Sequence, residues 1–173
     1  MFDVLVTGAD QRQGLAVIRA LGSRGLRVFA AGASPKSLGF CSRYTAGFAQ
    51  VPSSFSDKKG FALAVLSIVK EKSIPLVMPA VESSVIALNE HREEFQDDVT
   101  LALPRPESLR LALDKRLTLK LAGRLNIPIP RSCEPCSLED ALEFAKEAGY
   151  PLVIKPPGMA NLEGVQITQP FKV

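Results

Sequence analysis

Lys115 and Lys155 are the two cations whose settings suggest phosphate chemistry. Asp114 is placed to cap a helix, which puts Lys115 in that helix's first turn. There the helix dipole favours a carboxylate and disfavours an ammonium, a conflict that a neighbouring phosphate removes. Lys155 closes the apolar run Pro-Leu-Val-Ile-Lys and precedes a Pro/Gly loop, Pro156 to Gly164, that carries Gly158 and Gly164. An ammonium and free loop amides can share a polyphosphate in such a setting. Either lysine alone is an ordinary surface residue; the pair, with a helix between, is more informative.

Two turns supply a second set of candidates. In Thr-Gly-Ala-Asp-Gln-Arg-Gln-Gly an apolar run ends at Gly8, and Gly14 sits at the start of a helical pattern. Backbone amides at a helix start favour an anion. A dinucleotide fingerprint needs Gly-x-Gly-x-x-Gly and an acidic residue about twenty positions on. Here the second apolar run ends in Ala30-Ala31-Gly32, without one. The turn is therefore expected to line a ligand crevice through Gly8, Asp10 and Gln11 without binding NAD(P). Glu82 and Ser83 follow the fourth apolar run and open a helix. N-capping alone accounts for that composition, but the carboxyl end of a parallel strand is also where open α/β sheets bind ligands.

Other reactive side chains point to no reaction. Cys133 and Cys136 have zinc-knuckle or dithiol spacing, but zinc needs four ligands and only Cys41 and His91 remain, both far away in sequence. Ser137 reads as the N-cap of the next helix, so both thiols belong to a loop, outside the first turn that lowers a thiol pKa. His91 is the single histidine and lies in a charged helix end, so His-dependent nucleophile triads are not expected.

The elements that hold these residues alternate. Asp3 to Gly8, Arg27 to Gly32, Gly47 to Pro52, Pro75 to Ala80 and Val99 to Pro104 are short apolar runs bounded by Gly and Pro, the pattern of buried strands. Gln13 to Arg24, Asp57 to Lys72 and the stretch from Glu82 to Phe95 are helical, the second with Phe61, Ala64, Val65, Ile68 and Val69 on one face. Strands alternating with helices imply a parallel sheet covered on both sides, an α/β Rossmann-like domain. After Pro104 the pattern changes. A helical stretch with Leu117, Leu121 and Leu125 ends at Pro128 and Pro130. Ser137 and Asp140 then form a capping box for a helix that stops at Gly149, and a strand, loop and strand follow. The order helix, strand, helix, strand, strand marks the start of a second, α+β unit, with the boundary near Pro104–Leu111. Residues 1–107 are assigned to the first domain and 108–173 to the second.

Composition sets the remaining limits. Of 173 residues, 46% are apolar and 23% charged, which is ordinary for a globular protein. No apolar run approaches the roughly 20 residues of a membrane span. The chain enters a strand almost at Met1, so an uncleaved cytoplasmic protein is expected. A net charge of +3, no Trp and two Tyr argue against nucleic-acid binding. Three cysteines make no disulfide framework.

The segments VLVTGADQRQGLAVIRALGSRGLRV, PLVMPAVESSVIAL, LALDKRLTLKLAGRLNIPIPRS and YPLVIKPPGMANLEGVQIT, in this order, resemble the N-terminal part of ATP-grasp proteins in their carbamoyl-phosphate-synthetase-like branch. The resemblance implies a Rossmann-like pre-ATP-grasp domain followed by an incomplete first lobe of the ATP-grasp domain. It implies ATP and Mg²⁺ as cofactors, phosphorylation of a small-molecule carboxylate, and displacement of phosphate from the acyl phosphate by an amine-type substrate. It gives Lys115 and Lys155 the place of the two nucleotide lysines, and Gly158 and Gly164 the phosphate loop. That loop departs from the family pattern, since Met159 and Leu162 stand where glycines are usual. The Mg²⁺ ligands belong to a second lobe that this chain does not contain, so the chain alone is expected to be inactive. The rival readings are an NAD(P)-type Rossmann protein and a non-catalytic binding module that forms a homodimer.

Overall fold

The computed structural model describes residues 1–95 and 99–154. The chain divides into two compact units, Met1–Pro104 and Arg105–Val173.

The first unit is a five-stranded parallel sheet. Its strands are β1 (Val4–Thr7), β2 (Val28–Gly32), β3 (Thr45–Gln50), β4 (Leu76–Pro79) and β5 (Thr100–Leu101), in the spatial order β3-β2-β1-β4-β5. Every residue of β1 and β2 is buried, as expected for central strands covered on both faces. Alternation along β1 then fixes which layer each side chain joins. Leu5 enters a cluster with Phe29, Phe61, Val65, Val69, Val77, Leu88 and Phe95. Val4 and Val6 join Ile18, Val28 and Ala30 in a second cluster. Helix α1 (Arg12–Gly22) supplies Ile18 to the second cluster; α2 (Lys58–Lys72) and α3 (Glu82–Glu90) supply the first.

The expected helices form, with shifted ends. Asp57 caps α2, its carboxylate accepting from the Gly60 amide at 2.8 Å. The helix expected from Glu82 to Phe95 stops at Glu90, and a 3-10 turn, Arg92–Phe95, follows. That tighter turn carries Phe95 into the core, where it is 1% exposed. The third strand lies two residues earlier than expected, and the fifth is reduced to two residues.

In the second unit α4 (Pro106–Leu113) and α5 (Lys115–Arg124) meet at Asp114, and α6 (Leu138–Ala148) starts at the capping box of Ser137 and Asp140. Gly149 follows α6 at φ 76°, open to glycine without strain. The strand expected between α5 and α6 is absent among the described residues, and Pro151–Ile154 carries no strand assignment. Pro128, Pro130 and Pro151 have no N–H to give a ladder, and no described strand of this unit is available to pair. The strand-loop-strand expected beyond Ile154 lies outside the described residues.

Candidate functional site

The order of strands creates the first candidate site. From β1 the chain moves outward through β2 to β3, then returns to place β4 on the other side of β1. The turns leaving the carboxyl ends of β1 and β4 therefore diverge into different layers, the position at which a ligand crevice is expected in an open α/β sheet. Gly8, Asp10 and Gln11 are on the first turn; Glu82 and Ser83 follow the second. The two turns touch. Gly8 has φ 74°, and a Cβ there would stand 2.8 and 2.9 Å from the two methyls of Val81. Gly8 is thus required twice, by its backbone angle and by its neighbour. Gly14 is required by packing: a Cβ there would meet the Gly8 carbonyl carbon at 2.6 Å.

Asp10 is fixed by its neighbours. Its Oδ1 accepts from the Ala33 amide at 3.3 Å and its Oδ2 from Gln11 Nε2 at 3.1 Å. The carboxylate thereby bridges the ends of β1 and β2. The connection after β2 also folds onto the first turn: the Gly39 amide donates to the Ala9 carbonyl at 2.8 Å, and the Ala9 amide donates to Ala31 O at 3.0 Å. Ala9 is consumed by internal bonds, and no carboxylate follows β2. Gly14 is explained by helix-to-turn packing instead of by the approach of a pyrophosphate.

Across the crevice, Val81 precedes α3 and offers no side-chain cap, so Glu82 supplies the only carboxylate of that helix's first turn. Ser83 Oγ is 2.8 Å from Ser54 Oγ, and Ser84 Oγ donates to Ser54 Oγ at 3.3 Å. Ser54 was not picked out from the sequence. It follows β3, so the rule that ligand-facing residues gather at carboxyl ends of parallel strands was the signal for it. The edge so built can accept donors at Asp10 and Glu82 and donate from hydroxyls and first-turn amides. It suits a small polar molecule carrying an amine or hydroxyls.

The second candidate lies in the second unit. Asp114 caps α5, accepting from the amides of Arg116 at 2.9 Å and Leu117 at 3.4 Å. The Arg116 guanidinium turns back onto the same carboxylate, with Nη2 to Oδ2 at 2.8 Å and Nε to Oδ1 at 3.2 Å. The Arg116 hydrogen bond is the main cause that lowers the Asp114 pKa from 3.8 to about 2; the two amides add to it and partial desolvation opposes it. Lys115, the first helical residue, is exposed and has no ion-pair partner among the described residues. No acidic residue occupies the first turn of α5. The Arg116 and Leu117 amides are taken by Asp114, so the group left to meet an anion at this helix start is the Lys115 ammonium, and it fits a phosphate. Lys155, Gly158 and Gly164 lie outside the described residues.

The remaining candidates stay apart. Cys41, Cys133 and Cys136 are free and exposed, and Cys136 is held through its amide on Asp140 Oδ2 at 3.0 Å. His91 pairs with Glu94 at 2.8 Å, its side chain only 20% exposed. No group of three His, Cys, Asp or Glu side chains among the described residues could hold a metal ion. No helix among them is long and apolar enough to cross a membrane.

No protein-family model matches the chain. Curated relatives are carbamoyl phosphate synthase large chains. That of Xylella fastidiosa is 43% identical over 51 residues, covering 30% of this chain and 5% of that protein. That of Clostridium perfringens is 30% identical over 107 residues, covering 62% and 8%. Among solved structures, the biotin carboxylase domain of a single-chain bacterial carboxylase superposes with a TM-score of 0.60 at 23% identity, over 85% of this chain and 34% of that one. The biotin carboxylase domain of Hydrogenobacter thermophilus 2-oxoglutarate carboxylase, described as a dimer in complex with MgADP, ADP and bicarbonate, gives 0.61 at 20% identity, over 91% and 35%. The chain thus spans under a tenth of those curated relatives and about a third of those structures.

Proposed function

We infer, from a chain that corresponds to the N-terminal part of an ATP-grasp protein, that it contributes to an ATP-dependent ligase. Residues 1–107 act as the pre-ATP-grasp domain and 108–173 as the start of the ATP-binding lobe. In the whole protein, ATP phosphorylates a small-molecule carboxylate and an amine-type nucleophile then displaces the phosphate. The crevice at Gly8, Asp10, Gln11, Glu82 and Ser83 is the place for the non-nucleotide substrate, with the two carboxylates receiving its N–H groups.

The observation that carries this reading is Lys115: an exposed ammonium, unpaired among the described residues, at the start of α5. Asp114, the carboxylate that could neutralise it, is already held by Arg116. Such a lysine is unfavourable beside the positive end of the helix dipole, and a nucleotide phosphate reverses the sign of that interaction. Lys155, with the loop amides around Gly158 and Gly164, is assigned to the same triphosphate. Mg²⁺ would neutralise phosphate charge in the complete enzyme. The described residues offer no ligand set for it, and nothing here depends on it.

Calorimetric titration with ATP tests the reading on the chain itself. ATP should bind, and Lys115→Ala should weaken it roughly ten- to a hundredfold, the loss of one charge-assisted bond to phosphate. Thermal stability should not fall, because Lys115 is exposed and its charge is unfavourable at the start of α5. NADPH should give no saturable signal. ATP affinity that is identical in the wild type and in Lys115→Ala would remove the lysine from the site. The chain alone should release no carboxylate-dependent ADP.

A further inference from the structure

Three polar side chains are buried among the described residues: Thr7, Ser37 and Ser84. Two of them are accounted for. Ser37 Oγ donates to the Ser34 carbonyl, and Ser84 Oγ donates to Ser54 Oγ. Thr7 is 0% exposed, and its Oγ1 has no hydrogen-bond partner among the described residues. A hydroxyl taken from water and given no bond in return is destabilising, and native folds leave few of them. Thr7 Oγ1 calls for a partner from outside the chain.

The register of β1 places that hydroxyl. Leu5, two residues earlier on the same face, packs in one cluster with Ala87 and Leu88 of α3. Thr7 lies two strand residues, about 7 Å, beyond Leu5 toward the carboxyl edge. Ser84 precedes Leu88 by one helical turn, about 5 Å in the same direction, because α3 runs back from the end of β4. Thr7 and Ser84 are therefore level on one face of the sheet, under the start of α3. That start is open as well. α3 has nine residues, Val81 supplies no side-chain cap, and the amides of Glu82, Ser83 and Ser84 donate to no described residue. The groups that meet there, one orphan hydroxyl, three helix amides and the hydroxyls of Ser83 and Ser84, can all donate.

We propose that the start of α3 is a subsite for one small oxyanion, a carboxylate or a phosphate, whose oxygens accept from Thr7 Oγ1 and from the Ser83 and Ser84 amides. The proposal rests on the assignment of the crevice to the non-nucleotide substrate and names the part of that substrate held here. The anionic end goes to α3, which leaves Asp10 and Glu82 for its N–H groups. Converging donors and the positive end of the helix dipole both favour negative charge. Entry is from the side of Ser54 and Ser83, which are partly exposed. The Ser84–Ser54 bond is long at 3.3 Å, and a charged acceptor binds the Ser84 hydroxyl more strongly than Ser54 does. Thr7 and Ser84 are at most 1% exposed, so the space between them suits a small group only.

Amide NMR of the full chain, titrated with sodium acetate and with sodium phosphate against sodium chloride at equal ionic strength, tests this. The Ser83 and Ser84 amides should shift saturably with acetate or with phosphate and not with chloride; the anion that acts identifies the group as carboxylate or phosphate. Thr7→Val keeps the side-chain shape and removes the hydroxyl. It should raise the dissociation constant about tenfold or more, the loss of one hydrogen bond to a charged group. Its melting temperature without anion should stay level or rise, because an unsatisfied group has gone. Thr7→Ser, which keeps the hydroxyl, should retain binding. Amides that respond to neither anion overturn the proposal. So does a Thr7→Val chain that binds as wild type does, or one that melts several degrees lower, because its hydroxyl then has a bond within the fold. ATP binding that still depends on Lys115 would, in those cases, leave the ligase reading standing and remove this subsite alone.

Discussion

The contact between Gly8 and Val81 is the joint on which the first crevice depends, and its energy can be worked from the structure. Gly8→Ala meets two separate obstacles. At φ 74° an L-residue costs roughly 1–2 kcal/mol relative to its ordinary backbone region. The new methyl would also stand 2.8 and 2.9 Å from the Val81 methyls, inside van der Waals contact. Forced overpacking of this kind costs about 1–3 kcal/mol. The sum, about 3 kcal/mol, should lower the melting temperature of a unit of this size by roughly 10–20 °C. Val81→Ala alone, at a partly exposed position, should cost about 1 kcal/mol. In the double variant the clash disappears and only the backbone cost of Gly8→Ala remains. Urea titration of the four proteins, followed by far-UV circular dichroism, should therefore show a favourable coupling of about 1–2 kcal/mol between the two sites. Costs that add to within about 0.5 kcal/mol would mean that the two turns do not touch in solution. The crevice would then lose its geometric basis.

Other consequences are local to the second unit. Asp114 has its folded-state pKa lowered from 3.8 to about 2, chiefly by Arg116. A carboxylate of this kind contributes its full stabilisation above the unfolded value and loses it as the pH falls through about 2. The Arg116 and Leu117 amides should therefore stay protected from hydrogen exchange at pH 4 and lose protection toward pH 2, a change that Asp114→Asn should abolish. An Asp114 carboxyl that titrates near 3.8 by NMR would refute the pairing. Ser137→Ala should cost about 1 kcal/mol of helix stability by removing the capping box at the start of α6, while Ser137→Asp retains most of it. A melting curve unchanged by the alanine would show that the cap is idle.

Much of the fold was legible because its signals are local. Strands buried on both faces read as unbroken apolar runs, and β1 and β2 are buried at every residue. Caps were legible for the same reason, since Asp114 and Ser137 act within three residues of their own position. Failures occurred where a partner decides the outcome. Val99 to Pro104 has the composition of a strand, yet only Thr100–Leu101 pairs with β4, because an edge strand lasts only as long as its register with a neighbour. The Ile127–Pro130 segment is extended in character, but it has no described strand to join. The break at His91 depends on burying Phe95, a tertiary requirement that helical periodicity does not reveal.

The candidate sites follow the same division, and Lys115 shows why. Read along the chain, Asp114, Lys115 and Arg116 are one negative and two positive charges with no indication of which cation the carboxylate takes. Geometry resolves it. The first turn of α5 presents the Asp114 oxygens to the amides of Arg116 and Leu117, and the Arg116 side chain closes on both oxygens. The carboxylate is spent twice, as a cap and as an ion pair, and the surplus charge rests on Lys115. Replacing Arg116 with Met should therefore not simply remove a positive charge. It frees Asp114 to attract Lys115, and so should weaken ATP binding although Arg116 itself is not assigned to the nucleotide. An Arg116→Met variant that binds ATP as tightly as wild type would show that the availability of Lys115 does not depend on the Asp114–Arg116 pair.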